Sequence, residues 1–330
     1  MKDRFNGVFS APELTRNSPG STMVDLGARS LHSQKNHQNP RYKVEDYPIE
    51  LTRSYHAEGR HAYEVNSLPL SVDVIISMPK PKTHRLAGIT AACKNFVGIT
   101  YEKACLPHRI DDDAESGNGD AYRKRSVFKR LMSRYNEKRT FYSRSGKYVR
   151  SKVNDILMKF CYVVGALTSG DFYRIGSWYG NDTIWRTAVD LNIAMMFADK
   201  NGQLRDKQQR TILHIGDMIV SGQKEGPVGP TPKPLGIILF SDNALAFDRV
   251  VCEIMGFRES AFPLFNHGKA LSAFGFDSKR QLEDTVIVSN VDALNQKSLK
   301  EFPYVPAWRF EPHPCWKGHI EKEGVTNDFI

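Results

Sequence analysis

One short stretch constrains this chain more than any other. Val72, Val74, Ile75 and Ile76 form a β-branched run in SVDVIISMP, closed by Pro79 and Pro81. β-branched side chains suit a pleated strand, and unbroken apolar character suits a strand buried on both faces. The loop PKPKTH follows. Residues 85–97 then read as a helix, with Leu86, Ile89, Ala92, Cys93 and Phe96 on one side and Gly98 as the cap. Strand, loop and helix make the first half of a strand–helix–strand unit.

The alternation continues downstream. Residues 154–167 read as a helix buried by its composition, and 185–197 as another. A strand is expected over 211–220, a Gly/Pro-rich loop over 222–234 and a buried strand over 235–240. Ser241 caps a helix over 244–255 that Gly256 closes. A short strand is expected over 285–289, and the tail from Glu301 lacks a period. Strands alternating with helices predict an α/β fold, with a mainly parallel or mixed sheet and flanking helices. Residues 1–45 are polar and read as a poorly ordered arm. Residues 46–330 read as a single domain with a basic helical insertion at about 115–155.

The 330 residues are 40% hydrophobic and 25% charged, which allows a sizeable core. No apolar run approaches the roughly 20 residues that cross a bilayer. The start, MKDRFNGVFS, has no apolar signal core, so the expected location is the cytoplasm. Five cysteines occur without a C-x-x-C pair. That count argues against a disulfide framework, a zinc ribbon and a cysteine-ligated iron–sulfur cluster. P-loop, dinucleotide and G-x-S-x-G motifs are absent.

The net charge of +9 is concentrated. Residues 121–152 hold twelve Lys or Arg and one acid, Glu137. Phe128, Leu131, Met132 and Tyr135 in that segment follow helical spacing. Interleaved basic and aromatic residues suit nucleic acid or an anionic membrane surface. The preferred reading of the residue types is a solvated excursion that steers acidic ligands.

Two segments could carry chemistry. Lys80, Lys82 and His84 stand at the expected start of a helix, where free N–H groups favour phosphate or carboxylate. Lys94 and Asn95 lie further along that helix. The plain alternative is a loop of solvated lysines. The second segment supplies Asp217, Asp242 and Asp248. These could hold a divalent metal of the Mg²⁺ type or do acid/base work. They could equally be a helix cap and a structural ion pair. His108 and Arg109 could join a site or pair with the acids that follow. Asp190 and Asn192 are polar residues on a helix face that could point inward.

VDVIISMPKPKTHRLAGITAACKNFVG resembles the central signature of the domain of unknown function 362 family. Lys80, Lys82, Thr83, His84, Gly88, Thr90, Lys94, Asn95 and Gly98 carry the match. Asp217, Gly226, Pro227, Asp242, Asp248, Met255 and Gly256 extend it downstream. Family members usually open with a further α/β portion bearing Lys-Pro-Asn, and this chain reads as shortened or as starting downstream of it. Some members also carry ferredoxin-like cysteines, which this chain lacks.

The expected function is an enzyme with an anionic small-molecule substrate. Lys80, Lys82, Lys94 and Asn95 would hold the anion. His84, Lys82, Asp217 and Asp242 would do the chemistry, with a divalent metal on Asp217, Asp242 and Asp248. The rival is a nucleic-acid or acidic-partner binder acting through residues 121–152, and the third reading is an inactive shortened relative.

Overall fold

In the computed structural model, which describes residues 20–34, 40–275, 284–303 and 305–322, the chain opens on strand β1 (Ser21–Asp25). Strand β2 (Tyr42–Lys43), helix α1 (Ile49–Tyr55) and strands β3 (His56–Ala57) and β4 (Arg60–Asn66) follow. β1, β4 and β3 form an antiparallel three-stranded sheet. The segment expected to be an arm is therefore built into the fold, except that residues 1–19 and 35–39 lie outside the described residues. Its few apolar side chains are well placed: Val24, Leu31 and Tyr42 are buried. Anchoring comes from polar groups. Asp190 accepts hydrogen bonds from Ser30 Oγ at 2.5 Å, Leu31 N at 2.7 Å and Tyr63 OH at 2.8 Å. A buried carboxylate needs such partners, and a polar segment can supply them.

The second sheet is mixed. Strands β5 (Val74–Ser77), β6 (Lys82–His84) and β7 (Gly88–Thr90) precede helix α2 (Ala92–Asn95). Strand β8 (Arg109–Ile110) pairs with β2. Helices α3 (Val127–Arg144), α4 (Tyr148–Ser169) and α5 (Ile184–Phe197) lead to the long strands β9 (Thr211–Gln223) and β10 (Thr231–Ser241). Helices α6 (Ala244–Met255), α7 (Pro263–Asn266) and α8 (Gly268–Ala273) and strands β11 (Val286–Ile287) and β12 (Lys297–Ser298) complete the described chain. The sheet order is β10-β9-β6-β7, with β5 also on β9. β5 and β6 run parallel to β9, while β10 is antiparallel to it. The fold class is α/β, as the alternation of elements implied.

Three expectations are corrected. The helix over residues 85–97 is instead the β6–β7 hairpin followed by the four-residue α2. Gly88 sits at φ +75°, and a Cβ there would lie 2.4 Å from the Phe262 ring, so tertiary packing selects the hairpin. β5 and β10 are not buried on both faces, because Val74, Ile76, Ile238 and Phe240 are exposed. An apolar run shows that a strand can be covered, not that it is. The cap of α6 is Asn243, whose Oδ1 accepts from Leu245 N and Ala246 N at 3.0 and 3.1 Å. Ser241 Oγ instead accepts from Asn243 N. Gly256 closes that helix at φ +73°.

α5 is the central helix, buried from Ile184 through Met195. The basic segment forms the α3–α4 hairpin on the outside. It is tied down by a fully buried Lys129–Asp171 pair at 2.7 Å. Lys43 grips Glu137, the segment's one acid, and Ser133 Oγ donates to Asp111 at 2.7 Å. α4 is not buried as its composition suggested, because one whole face of it is exposed. Among the described residues, no helix is long and apolar enough to cross a membrane.

Removing one partner of a buried ion pair leaves an uncompensated charge, at about 3–5 kcal/mol. Asp171→Ala is therefore expected to lower unfolding stability by that amount in urea titrations. Lys129→Met combined with Asp171→Leu is expected to recover most of the loss.

Stability is also expected to fall with acidification. Burial holds His56 at about 3 and His61 and His214 at about 4, and holds His84 well below 6.5. Below pH 6.5 the unfolded chain binds protons that these folded histidines refuse. Two buried carboxylates oppose them, since burial raises Asp190 to about 6 and Asp248 to about 7. Their folded forms keep protons that the unfolded chain releases. With His108, which burial also holds at about 4, five groups against two leave about three protons, on the order of 4 kcal/mol per pH unit between pH 6 and 5. The thermal midpoint should drop over that range, and a rise would contradict the balance.

Candidate functional site

Lys82 and His84 occupy β6, where the backbone ladder fixes their directions. The turn after them is clamped from two sides. Thr83 Oγ1 donates to Lys224 O at 2.9 Å and Arg85 N to Gly226 O at 3.2 Å. Trp316, from the C-terminal tail, donates its indole N–H to Arg85 O at 2.9 Å.

This clamp fixes the chemistry of His84. Its Nδ1 accepts from Leu86 N at 3.0 Å and Ala87 N at 3.2 Å, which assigns the ring proton to Nε2. Burial first, then Lys94, His108, Arg85 and His313, press its pKa well below 6.5. His84 is therefore a neutral donor at Nε2. His108 is its complement. Its Nδ1 lies 2.6 Å from Leu106 O, so Nδ1 carries the proton and Nε2 a lone pair. Burial and then Lys94 lower it to about 4.

Lys94 stands between these two rings electrically, since it depresses both. Burial and then Lys82 bring Lys94 itself down to about 8. Among the described residues, no hydrogen bond or ion pair engages the ammonium of Lys94 or of Lys82. Six basic groups from four chain segments thus converge: Lys82, His84, Arg85, Lys94, His108 and His313. Two carboxylates within their reach are engaged, Glu45 with Arg109 at 2.9 Å and Glu225 with His313 at 3.3 Å. Arrangements of this kind favour a negative charge.

The start of α2 is not open to an anion. The first N–H groups of α2 are taken by Asp248, which accepts from Ala92 N at 2.7 Å and Cys93 N at 3.2 Å. Asn192 donates to Cys93 O at 2.6 Å, and Asn95 Nδ2 donates to Ser77 Oγ at 2.8 Å. Asn95 therefore braces α2 against the end of β5. Lys94 also lines a cavity of about 30 Å³, with Asp248, Asn181, Trp185, Phe262 and Trp316 among others.

The other expected site residues go elsewhere. Lys80 leaves the cluster, donating to Asp217 at 2.7 Å and to Val220 O at 2.8 Å on the outer sheet surface. That pairing holds the Asp217 carboxyl below its usual range. Asp242 is exposed and is felt by His214. Asp248 is buried as the cap of α2. Asp217, Asp242 and Asp248 therefore do not converge, and among the described residues no group of three or more His, Cys, Asp or Glu could hold a metal ion. The three aspartates expected to share a divalent metal thus lie apart. His108 joins the basic cluster, and Arg109 pairs with Glu45. Arg85 and His313 escaped the reading of the sequence. Arg85 was hidden in the expected helix, and His313 sits in a tail without a pattern.

Gly226 is the tightest point of the clamp, because a Cβ there would lie 1.8 Å from Thr83 O. Backbone cannot yield as a side-chain end can. Gly226→Ala is expected to destabilise by about 1–3 kcal/mol or more and to shift the Trp316 fluorescence, read by thermal melts and emission spectra.

No curated protein and no solved structure matches the chain. The signature strand, the Lys-Thr-His turn on β6 and the Lys-Asn pair on α2 lie within residues 29–253, which match the family model described as Domain of unknown function (DUF362). That match spans well over half of the 330 residues, and the chain belongs to this family.

Proposed function

We propose that this chain is an enzyme that binds an anionic small molecule, a carboxylate or a phosphate, in the recess of Lys82, His84, Lys94 and His108. The observation that carries this reading is the unpaired Lys94 ammonium set against two neutral histidines. A cation held near other cations destabilises the empty fold, and an anionic ligand removes that penalty. Lys94 and Lys82 hold the charge. His84 offers Nε2–H as a donor, and His108 offers its Nε2 lone pair as an acceptor. After burial, Lys94 is the chief cause that depresses both rings, so a bound anion that offsets Lys94 would bring them back toward the range in which histidine moves a proton.

The basic segment is a weaker candidate for the binding surface. Part of its charge is matched within the fold. Lys129 faces Asp171, Arg130 faces Asp112 and Asp113, and Arg139 faces Asp46.

Titration calorimetry and thermal shift with inorganic phosphate and with small mono- and dicarboxylates test this reading. At least one of these anions should raise the thermal midpoint. Lys94→Met should weaken its binding by about 10- to 100-fold, the weight of a charged hydrogen bond of about 1.5–3 kcal/mol. The ligand-free midpoint of Lys94→Met should stay or rise, because the substitution removes a disfavoured charge. Affinity should be full below pH 7 and fall as pH rises through about 8, where free Lys94 loses its proton. Unaltered binding in Lys94→Met would sink the proposal.

A further inference from the structure

α4 is 22 residues long and carries two unlike faces. The inner face, with Asn154, Cys161, Gly165 and Ala166 buried, packs on α3. Gly165 permits the close approach, since a Cβ there would already meet Lys129 at 3.1 Å. The outer face presents Val149, Val153, Ile156, Phe160, Val163 and Leu167, each between 50% and 77% exposed. Their spacing along the chain is four, three, four, three, four. That spacing keeps all six side chains on one stripe of the helix, which can seat against a second helix.

The series reads the same from both ends. Set antiparallel against itself about residue 158, α4 places Val149 opposite Leu167, Val153 opposite Val163 and Ile156 opposite Phe160. Two-fold symmetry repeats each layer, giving six apolar layers with no polar residue among them. Leu157 falls beside the axis and adds to the seam.

Charge selects this direction. Lys147, Arg150 and Lys152 cluster at the start of α4, and a parallel pair would bring both clusters together. The antiparallel pair separates them and sets each beside the partner helix's C-terminus, whose free carbonyls favour cations. Lys159, the one basic residue in the second half of the helix, carries its own counter-ion, Asp155, at 2.7 Å. With the two cancelling, residues 153–169 offer no net charge to an anionic bilayer. We propose that the outer face of α4 is a homodimer interface, at which two copies of this chain pair through antiparallel α4 helices, each backed by its own α3. The seam covers fewer than three heptads, so the rigid hairpin behind it is part of the device.

Sedimentation equilibrium of the full chain tests this over a hundredfold range of concentration. The expected species has twice the chain mass of 37.4 kDa. Phe160→Glu should weaken dimerisation at least tenfold yet leave the thermal midpoint of the dilute protein unchanged, because Phe160 is exposed in the monomer. In a mixture, Val153→Cys and Val163→Cys chains should cross-link to each other through a short bismaleimide. Neither should cross-link to itself, since like positions lie far apart in the antiparallel pair. A monomer at every concentration overturns the proposal, as does a dimer indifferent to Phe160→Glu. Self-cross-linking of Val153→Cys would indicate parallel pairing and also overturns it. Binding of a monomeric chain to phosphatidylserine vesicles, lost in Phe160→Glu, would give the face to a membrane instead.

Discussion

The contact between the Asp248 carboxylate and the first N–H groups of α2 is the one on which the recess depends. A helix of four residues has no cooperative stability of its own. It persists here because three other elements hold it. α6 supplies Asp248 to its start, α5 supplies Asn192 to the Cys93 carbonyl, and β5 supplies Ser77 to Asn95. Lys94 lies inside that frame. Its position is thus set by the sheet and two core helices, not by the loop in which its sequence motif lies.

The same frame explains the electrical state of the site. Burial raises Asp248 to about 7 and lowers Lys94 to about 8, so charge of either sign is disfavoured in one small volume. Asp248 has its backbone donors to offset burial, whereas Lys94 has no comparable partner. The backbone that carries Lys94 is held on both sides, at Ala92 and Cys93 and at Asn95. A backbone held in this way lowers the cost of ordering the side chains it carries.

How much was legible in the sequence follows from the range over which each choice was made. α5, α6 with its glycine stop, β5 and β9 rest on local periodicity, and their sequences announce them. Lys82, His84 and Lys94 were legible as a basic group. The β6–β7 hairpin was not, because residues 85–97 satisfy a helical pattern equally well. What decides against it is Gly88 under the Phe262 and Trp316 rings, contacts made by distant residues. The role of Asp248 was open for a similar reason, since its partners lie 155 and 156 residues away in the chain. Three aspartates close in sequence suggested a metal site, yet one faces outward on β9, one is exposed beyond β10 and one turns inward from α6. Strand and helix geometry sent them apart, and sequence proximity could not show it.

The apolar segments were misjudged in one consistent direction. β5, β10 and α4 were read as buried because they are apolar, and each exposes a face. Apolar content measures the tendency to be covered, while the cover itself depends on what the fold can bring over. For the exposed sheet face nothing in the pattern of side chains specifies a partner. α4 differs, because its spacing is as regular as its composition is apolar. A surface that needed only solubility would have broken the series of six with at least one charge on the seam. The inner face of the same hairpin uses Lys129 and Glu137 for anchoring, so this segment carries charged residues on its other faces. Their exclusion from the outer seam is therefore selective, and it is the physical reason to treat that seam as an interface instead of a defect in the surface.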